Sequence, residues 1–62
     1  MITYNPQYTH IVHAAERMAL NGLRAQRTLA DILAEARRRW RLPERQVAET
    51  VIRDIYNTHN AQ

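Results

Sequence analysis

The chain has no cysteine, serine, lysine or phenylalanine, and it has a single glycine. Without cysteine it can form neither a disulfide nor a thiolate metal site. Cysteine and serine are two common catalytic nucleophiles, and neither is present. A glycine-rich phosphate loop is also missing. No apolar run approaches the roughly 20 residues of a membrane span, and the N-terminus lacks the pattern of a signal peptide. We therefore expect a non-enzymatic, cytoplasmic protein that needs no cofactor.

The size of the chain limits how stable it can be on its own. It has 62 residues, of which 45% are hydrophobic, and a domain of this size buries only about 60% of the surface that its unfolded chain exposes. Small domains are usually reinforced by disulfides, metals or a second subunit. The sequence therefore predicts one helical domain over residues 1–62 that forms a homodimer.

Apolar residues recur at helical spacing in three segments of the chain, and polar residues take the opposite sides. The pattern predicts helices over residues 6–21, 28–41 and 43–58, joined by short turns. The fold class is therefore a small all-α three-helix bundle. The polar ends, residues 1–5 and 58–62, are expected to be flexible.

Residues typical of helix ends support these three boundaries. Pro6 suits the first position of a helix, and Gly22 can end that helix in the left-handed conformation. Thr28 can cap the second helix, with Asp31 three residues later as in a capping box. Pro43 disfavours helical backbone in the residue before it and is well placed to begin the third helix.

The most distinctive stretch is "RRRWRLPER", which holds five of the nine arginines around the only tryptophan. Arginine and tryptophan are enriched among the residues that anchor protein interfaces. Two of the arginines would flank exposed alanines on the second helix, where a partner could come close. We predict that the chain regulates a partner protein by binding it, as a phage or plasmid inhibitor of a host protein would. The predicted partner-binding residues are Ala30, Ala34, Arg37, Trp40 and Arg41.

Two other interpretations of the same stretch stay open. Cations in the last turn of a helix complement the negative end of its dipole, and the tryptophan would then be a half-buried core residue. Alternatively, the chain is a DNA-binding regulator whose basic segment contacts phosphates. The third helix argues against DNA because it carries acidic residues where a recognition helix should be basic or neutral. The residues that would bind nucleic acid are Arg37, Arg38, Arg41 and Arg45.

Charged residues on the helices predict ion pairs but no metal site. Glu35 and Arg39 stand at i,i+4, and a ladder of Arg45, Glu49 and Arg53 follows the third helix at the same spacing. On the first helix two histidines stand at i,i+3, but two imidazoles are too few for a structural zinc site, and an arginine lies one turn away. The residues concerned are His10, His13 and Arg17.

Overall fold

The computed structural model describes residues 8–60, which fold into three helices. These are α1 (Thr9–Arg24), α2 (Leu29–Arg39) and α3 (Glu44–Asn60), and they confirm the predicted three-helix bundle. The predicted start of the first helix at residue 6 lies outside the described residues. α3 continues past its predicted end at residue 58, because no proline or glycine interrupts the stretch. Within residues 8–60, no helix has the length and apolar composition needed to cross a membrane.

The core is thin and lies where α3 packs against both other helices. Each helix contributes one fully buried isoleucine, namely Ile11, Ile32 and Ile52. Burying a side chain of this size contributes about 1.5 to 3 kcal/mol. The other buried hydrophobic residues include four alanines, which let the helices approach closely. These residues are Ala15, Met18, Ala19, Leu33, Ala36, Trp40, Ala48 and Val51.

The first helix does not end at Gly22, as the sequence predicted, but continues to Arg24. The Arg27 amide donates to the Gly22 carbonyl over 2.8 Å, and the Gln26 amide donates to the Leu23 carbonyl over 3.1 Å. These two bonds define a Schellman ending. Gln26 takes the left-handed position with a φ of 59°. A left-handed ending was predicted correctly, but it lies at Gln26 and not at Gly22.

Gly22 has a packing role instead. It is buried inside α1, and a Cβ added there would lie 2.5 Å from Ile32 Cδ1 and 2.7 Å from Ile32 Cγ1. Real Cβ contacts are essentially never shorter than 3.0 Å. The missing side chain therefore lets α1 and α2 come close at this point.

Replacing Gly22 by alanine should destabilise the fold by up to about 2 kcal/mol. Overpacking a core costs about 1 to 3 kcal/mol, and the better helix propensity of alanine offsets about 1 kcal/mol of that cost. Ile32 has little freedom to move, since it is fully buried and β-branched. Urea unfolding followed by circular dichroism measures the change.

The neighbouring substitution Asn21→Ala is the control for helix propensity, because Asn21 is exposed. It should leave the free energy of unfolding unchanged or raise it slightly. In a double-mutant cycle, Ile32→Val should cost less in the Gly22→Ala background than alone, because it removes the closer clashing atom. A Gly22→Ala variant as stable as Asn21→Ala would show that this contact does not constrain the packing.

The start of α2 agrees with the sequence prediction, and its end does not. The Thr28 hydroxyl accepts a hydrogen bond from the Asp31 amide over 3.2 Å, which confirms Thr28 as the N-cap. At the other end, Trp40 has extended backbone angles, φ −122° and ψ 149°, so the helix ends before residue 41. The Trp40 amide still bonds to the Ala36 carbonyl over 2.9 Å. This extended residue turns the chain toward α3 while its indole stays in the core.

Candidate protein-binding surface

A single buried carboxylate binds two arginines of the basic segment. The side chain of Glu49 on α3 is only 11% exposed, and its Oε1 lies 3.3 Å from Arg37 Nη2. Its Oε2 lies 3.3 Å from Arg45 Nε, and Arg53 Nη2 lies 3.5 Å from Oε1. The predicted i,i+4 ladder is therefore confirmed. Arg37 joins it from α2, so that the carboxylate connects two helices.

This cluster is held by electrostatic attraction more than by ideal hydrogen bonds. Arg45 Nε is buried and has no hydrogen-bond partner, although it lies close to the Glu49 carboxylate. The side chains of Arg37 and Arg53 are 55% and 53% exposed, so water screens part of each attraction. Three cations surround one anion, and the cluster remains positive.

The tryptophan belongs to the core of the chain. Trp40 is 8% exposed and lies in the same hydrophobic cluster as Ala36. The guanidinium of Arg39 stacks over its ring, 4.9 Å from the centroid, which is within the range of a cation–π contact. Of the two roles considered from the sequence, the core role describes this position. A partner would contact little of the indole.

The predicted pair between Glu35 and Arg39 does not form. Glu35 instead binds Arg27, whose Nη1 lies 2.5 Å from its Oε1. Arg27 Nη2 also donates to the Asp31 carbonyl over 3.2 Å. The turn after α1 brings Arg27 alongside the first turns of α2, within reach of Glu35. Arg39 is drawn to the indole instead.

The remaining predicted site residues form one exposed surface on α2. Ala30, Ala34 and Arg38 are exposed, and together with Arg37 they fall within about 100° of the helix circumference at 100° per residue. Arg41 lies two residues past the end of the helix and is also exposed. Among residues 8–60, no acidic side chain pairs with Arg38 or Arg41. We call the five residues Ala30, Ala34, Arg37, Arg38 and Arg41 the α2 surface.

A groove between α1 and α2 was not predicted from the sequence. Its volume is about 730 Å³, and it lies between α1, which packs only lightly against α2, and the residues Arg27, Glu35 and Arg39. The polar side of α1, which was considered only for metal binding, forms one wall. In the described part of the chain, no three acidic or histidine side chains gather at metal-binding distance. The α1–α2 groove is lined by His10, His13, Ala14, Arg17, Met18, Asn21, Gly22, Ala25, Arg27, Glu35 and Arg39.

Neither the models of protein families, nor the curated proteins, nor the solved structures include a match to this chain. The fold places it among small all-α three-helix bundles. Its candidate binding features are the exposed cations of the α2 surface and the α1–α2 groove.

Proposed function

We propose that the chain is a non-enzymatic regulatory protein of the cytoplasm that binds an acidic surface of a partner protein through the α2 surface. One observation carries this proposal. Arg38 and Arg41 are exposed and have no acidic partner within residues 8–60, and Arg38 lies one helical turn from the small side chain of Ala34. Small residues let a partner approach the helix, while guanidinium groups bind carboxylates in a fixed bidentate geometry.

Binding would itself be the regulatory act in such a protein. A helix held against a partner covers whatever functional surface lies beneath it. Arg37 supports this geometry because Glu49 holds one of its nitrogens, which leaves the rest of its half-exposed guanidinium free to contact a partner. Fixing an arginine before binding reduces the conformational entropy that is lost on binding.

The small number of free cations favours a protein partner over nucleic acid. Glu49 lies 3.3 Å from both Arg37 and Arg45, so part of their positive charge is already neutralised. Of the four arginines considered for DNA binding, only Arg38 and Arg41 are free of this carboxylate. Two phosphate contacts give a salt slope of only about 1.8 log units of affinity per log unit of salt. Such contacts supply little affinity at physiological salt.

We also propose that two copies associate as a homodimer. Leu20 is 52% exposed and Leu42 is 57% exposed, and no other large hydrophobic residue of the described chain is as open to solvent. Removing these side chains from water would add apolar burial to a core that is thin in the single chain. Neither residue belongs to the α2 surface.

Reversing the charge of Arg38 should abolish capture of the partner. The immobilised chain and its Arg38→Glu variant are exposed to a lysate of cells that express the chain, and captured proteins are quantified by mass spectrometry. A partner with an acidic surface should be recovered at least tenfold less by Arg38→Glu, because an attraction becomes a repulsion. Arg24→Glu is the matched control, since Arg24 is an exposed arginine outside the α2 surface.

Two outcomes would contradict the proposal. Equal recovery by wild type and Arg38→Glu would exclude the α2 surface as the binding site. Sedimentation of the purified chain with a generic DNA duplex at about 50 and 200 mM salt tests the alternative. Comigration at the lower salt that is lost at the higher salt would identify an electrostatic nucleic-acid surface instead.

A further inference from the structure

The α1–α2 groove has positive walls whose cations face an open channel. Arg17 lies on α1 and Arg39 on α2, and both line the groove. The only acidic residue among the groove-lining residues, Glu35, is already bound by Arg27 at 2.5 Å. Neither Arg17 nor Arg39 has an acidic partner within residues 8–60. A concave surface lined by charge of one sign concentrates the field and attracts the opposite charge.

The α1 wall is a continuous polar row. His10, His13, Arg17 and Asn21 follow one another at spacings of three and four residues, so they lie on the same side of the helix. All four line the groove. They can donate hydrogen bonds, Asn21 through its amide and the imidazoles through a ring N–H. The wall therefore combines positive charge with several neutral donors.

The apolar floor of the groove runs along most of α1 and includes Ala14, Met18 and Ala25. Gly22 also lines the groove, but the Ile32 side chain occupies the space beside it. The short side chains of the two alanines let a ligand backbone approach the helix closely. From residue 10 to residue 25, an α-helix rises about 22 Å. An extended peptide of six to seven residues has the same length at about 3.3 Å per residue.

We propose that the α1–α2 groove binds an acidic peptide segment in an extended conformation, with glutamate or aspartate carboxylates on Arg17 and Arg39. The length of the lining favours a chain-like ligand over a single phosphate group, which would contact only a part of it. The small apolar floor fits the side chains that alternate with the carboxylates along an extended segment. The groove shares no residue with the α2 surface, so this binding site is separate from the proposed partner surface.

The test uses a fluorescein-labelled octapeptide that alternates glutamate with alanine, and fluorescence anisotropy measures its affinity. Arg17→Glu should weaken binding at least tenfold, because it replaces a proposed carboxylate contact by a repulsion. Arg17 is exposed and makes no ion pair in the described structure, so the substitution should leave the fold intact. Arg24→Glu changes the net charge equally but lies outside both the groove and the α2 surface, and it should weaken binding less than threefold. Circular dichroism confirms that each variant keeps its helical content.

A second variant should act in the opposite direction. Glu35→Gln removes the carboxylate that binds Arg27 and leaves a third arginine available to the ligand, so the octapeptide should bind severalfold more tightly. The same octapeptide with glutamine in place of glutamate should not bind. Loss of affinity by the same factor in Arg17→Glu and Arg24→Glu would overturn the proposal, since binding would then follow net charge alone.

Competition identifies the class of ligand. Unlabelled octapeptide should displace the probe at lower concentration than tripolyphosphate or a single-stranded oligonucleotide of the same charge. Stronger displacement by either competitor would contradict an acidic peptide as the ligand. Because Arg38→Glu affects only the α2 surface, a failure of this site and a failure of the proposed function give different results.

Discussion

Replacing Trp40 by alanine should leave the chain largely unfolded at 25 °C. Trp40 is 8% exposed and packs in the one hydrophobic cluster that the described residues form. Truncating a buried tryptophan to alanine costs about 3 to 5 kcal/mol. A domain of this size has a total stability of only a few kcal/mol. Far-UV circular dichroism should therefore show a large loss of helical signal.

Two controls separate a core role from an interface role for this tryptophan. Trp40→Phe keeps an aromatic ring in the core and should retain most of the helical signal, with a lower midpoint of thermal unfolding. Gln46→Ala changes an exposed side chain of α3 and should change the stability little. A Trp40→Ala variant that stays folded but fails to bind a partner would show that the indole is an interface anchor.

Local features of the fold were predictable from the sequence, because they depend on residues close together in the chain. Thr28 caps α2 through a residue three positions later. The contacts of Glu49 with Arg45 and Arg53 follow directly from i,i+4 spacing. These interactions need only a helix to form, and the hydrophobic periodicity predicted that helix.

Contacts between helices could not be predicted in the same way. Arg37 and Glu49 are 12 residues apart and Arg27 and Glu35 are 8 apart, so each pair depends on how the turns place the helices. Gly22 shows a different difficulty. A glycine near the end of a helix is compatible both with a left-handed ending and with close helix packing, and only the position of Ile32 distinguishes them.

The candidate sites follow the same division. The exposure of Ala30, Ala34 and Arg38 could be derived from helical periodicity, since it depends on α2 alone. The α1–α2 groove depends on how two helices are placed relative to each other, and the sequence showed only the polar row on α1. Periodicity also placed Trp40 on the apolar stripe of α2. Its extended backbone was not predicted, although its side chain does enter the core.

Removing the Glu49 carboxylate should have the second largest effect on the fold. Its loss would leave Arg37, Arg45 and Arg53 close together without their shared anion, and the buried Nε of Arg45 would lose its nearest negative charge. Breaking a fully buried ion pair costs about 3 to 5 kcal/mol. Because two of these arginines are half exposed and can turn to water, we expect Glu49→Ala to cost about 2 kcal/mol.

The most direct test compares the thermal unfolding of Glu49→Ala and Asp54→Ala. It asks whether some arginines of the basic segment stabilise the fold while others stay free to bind a partner. Both substitutions remove one carboxylate from α3, but Asp54 is exposed and makes no ion pair within residues 8–60. Since 1 kcal/mol shifts the midpoint of such a domain by about 4 to 8 °C, Glu49→Ala should unfold roughly 10 °C lower, and Asp54→Ala near the wild-type midpoint. Equal midpoints for the two variants would contradict a structural role for Arg37 and Arg45. These two arginines would then be as available to a partner as the other three of the segment.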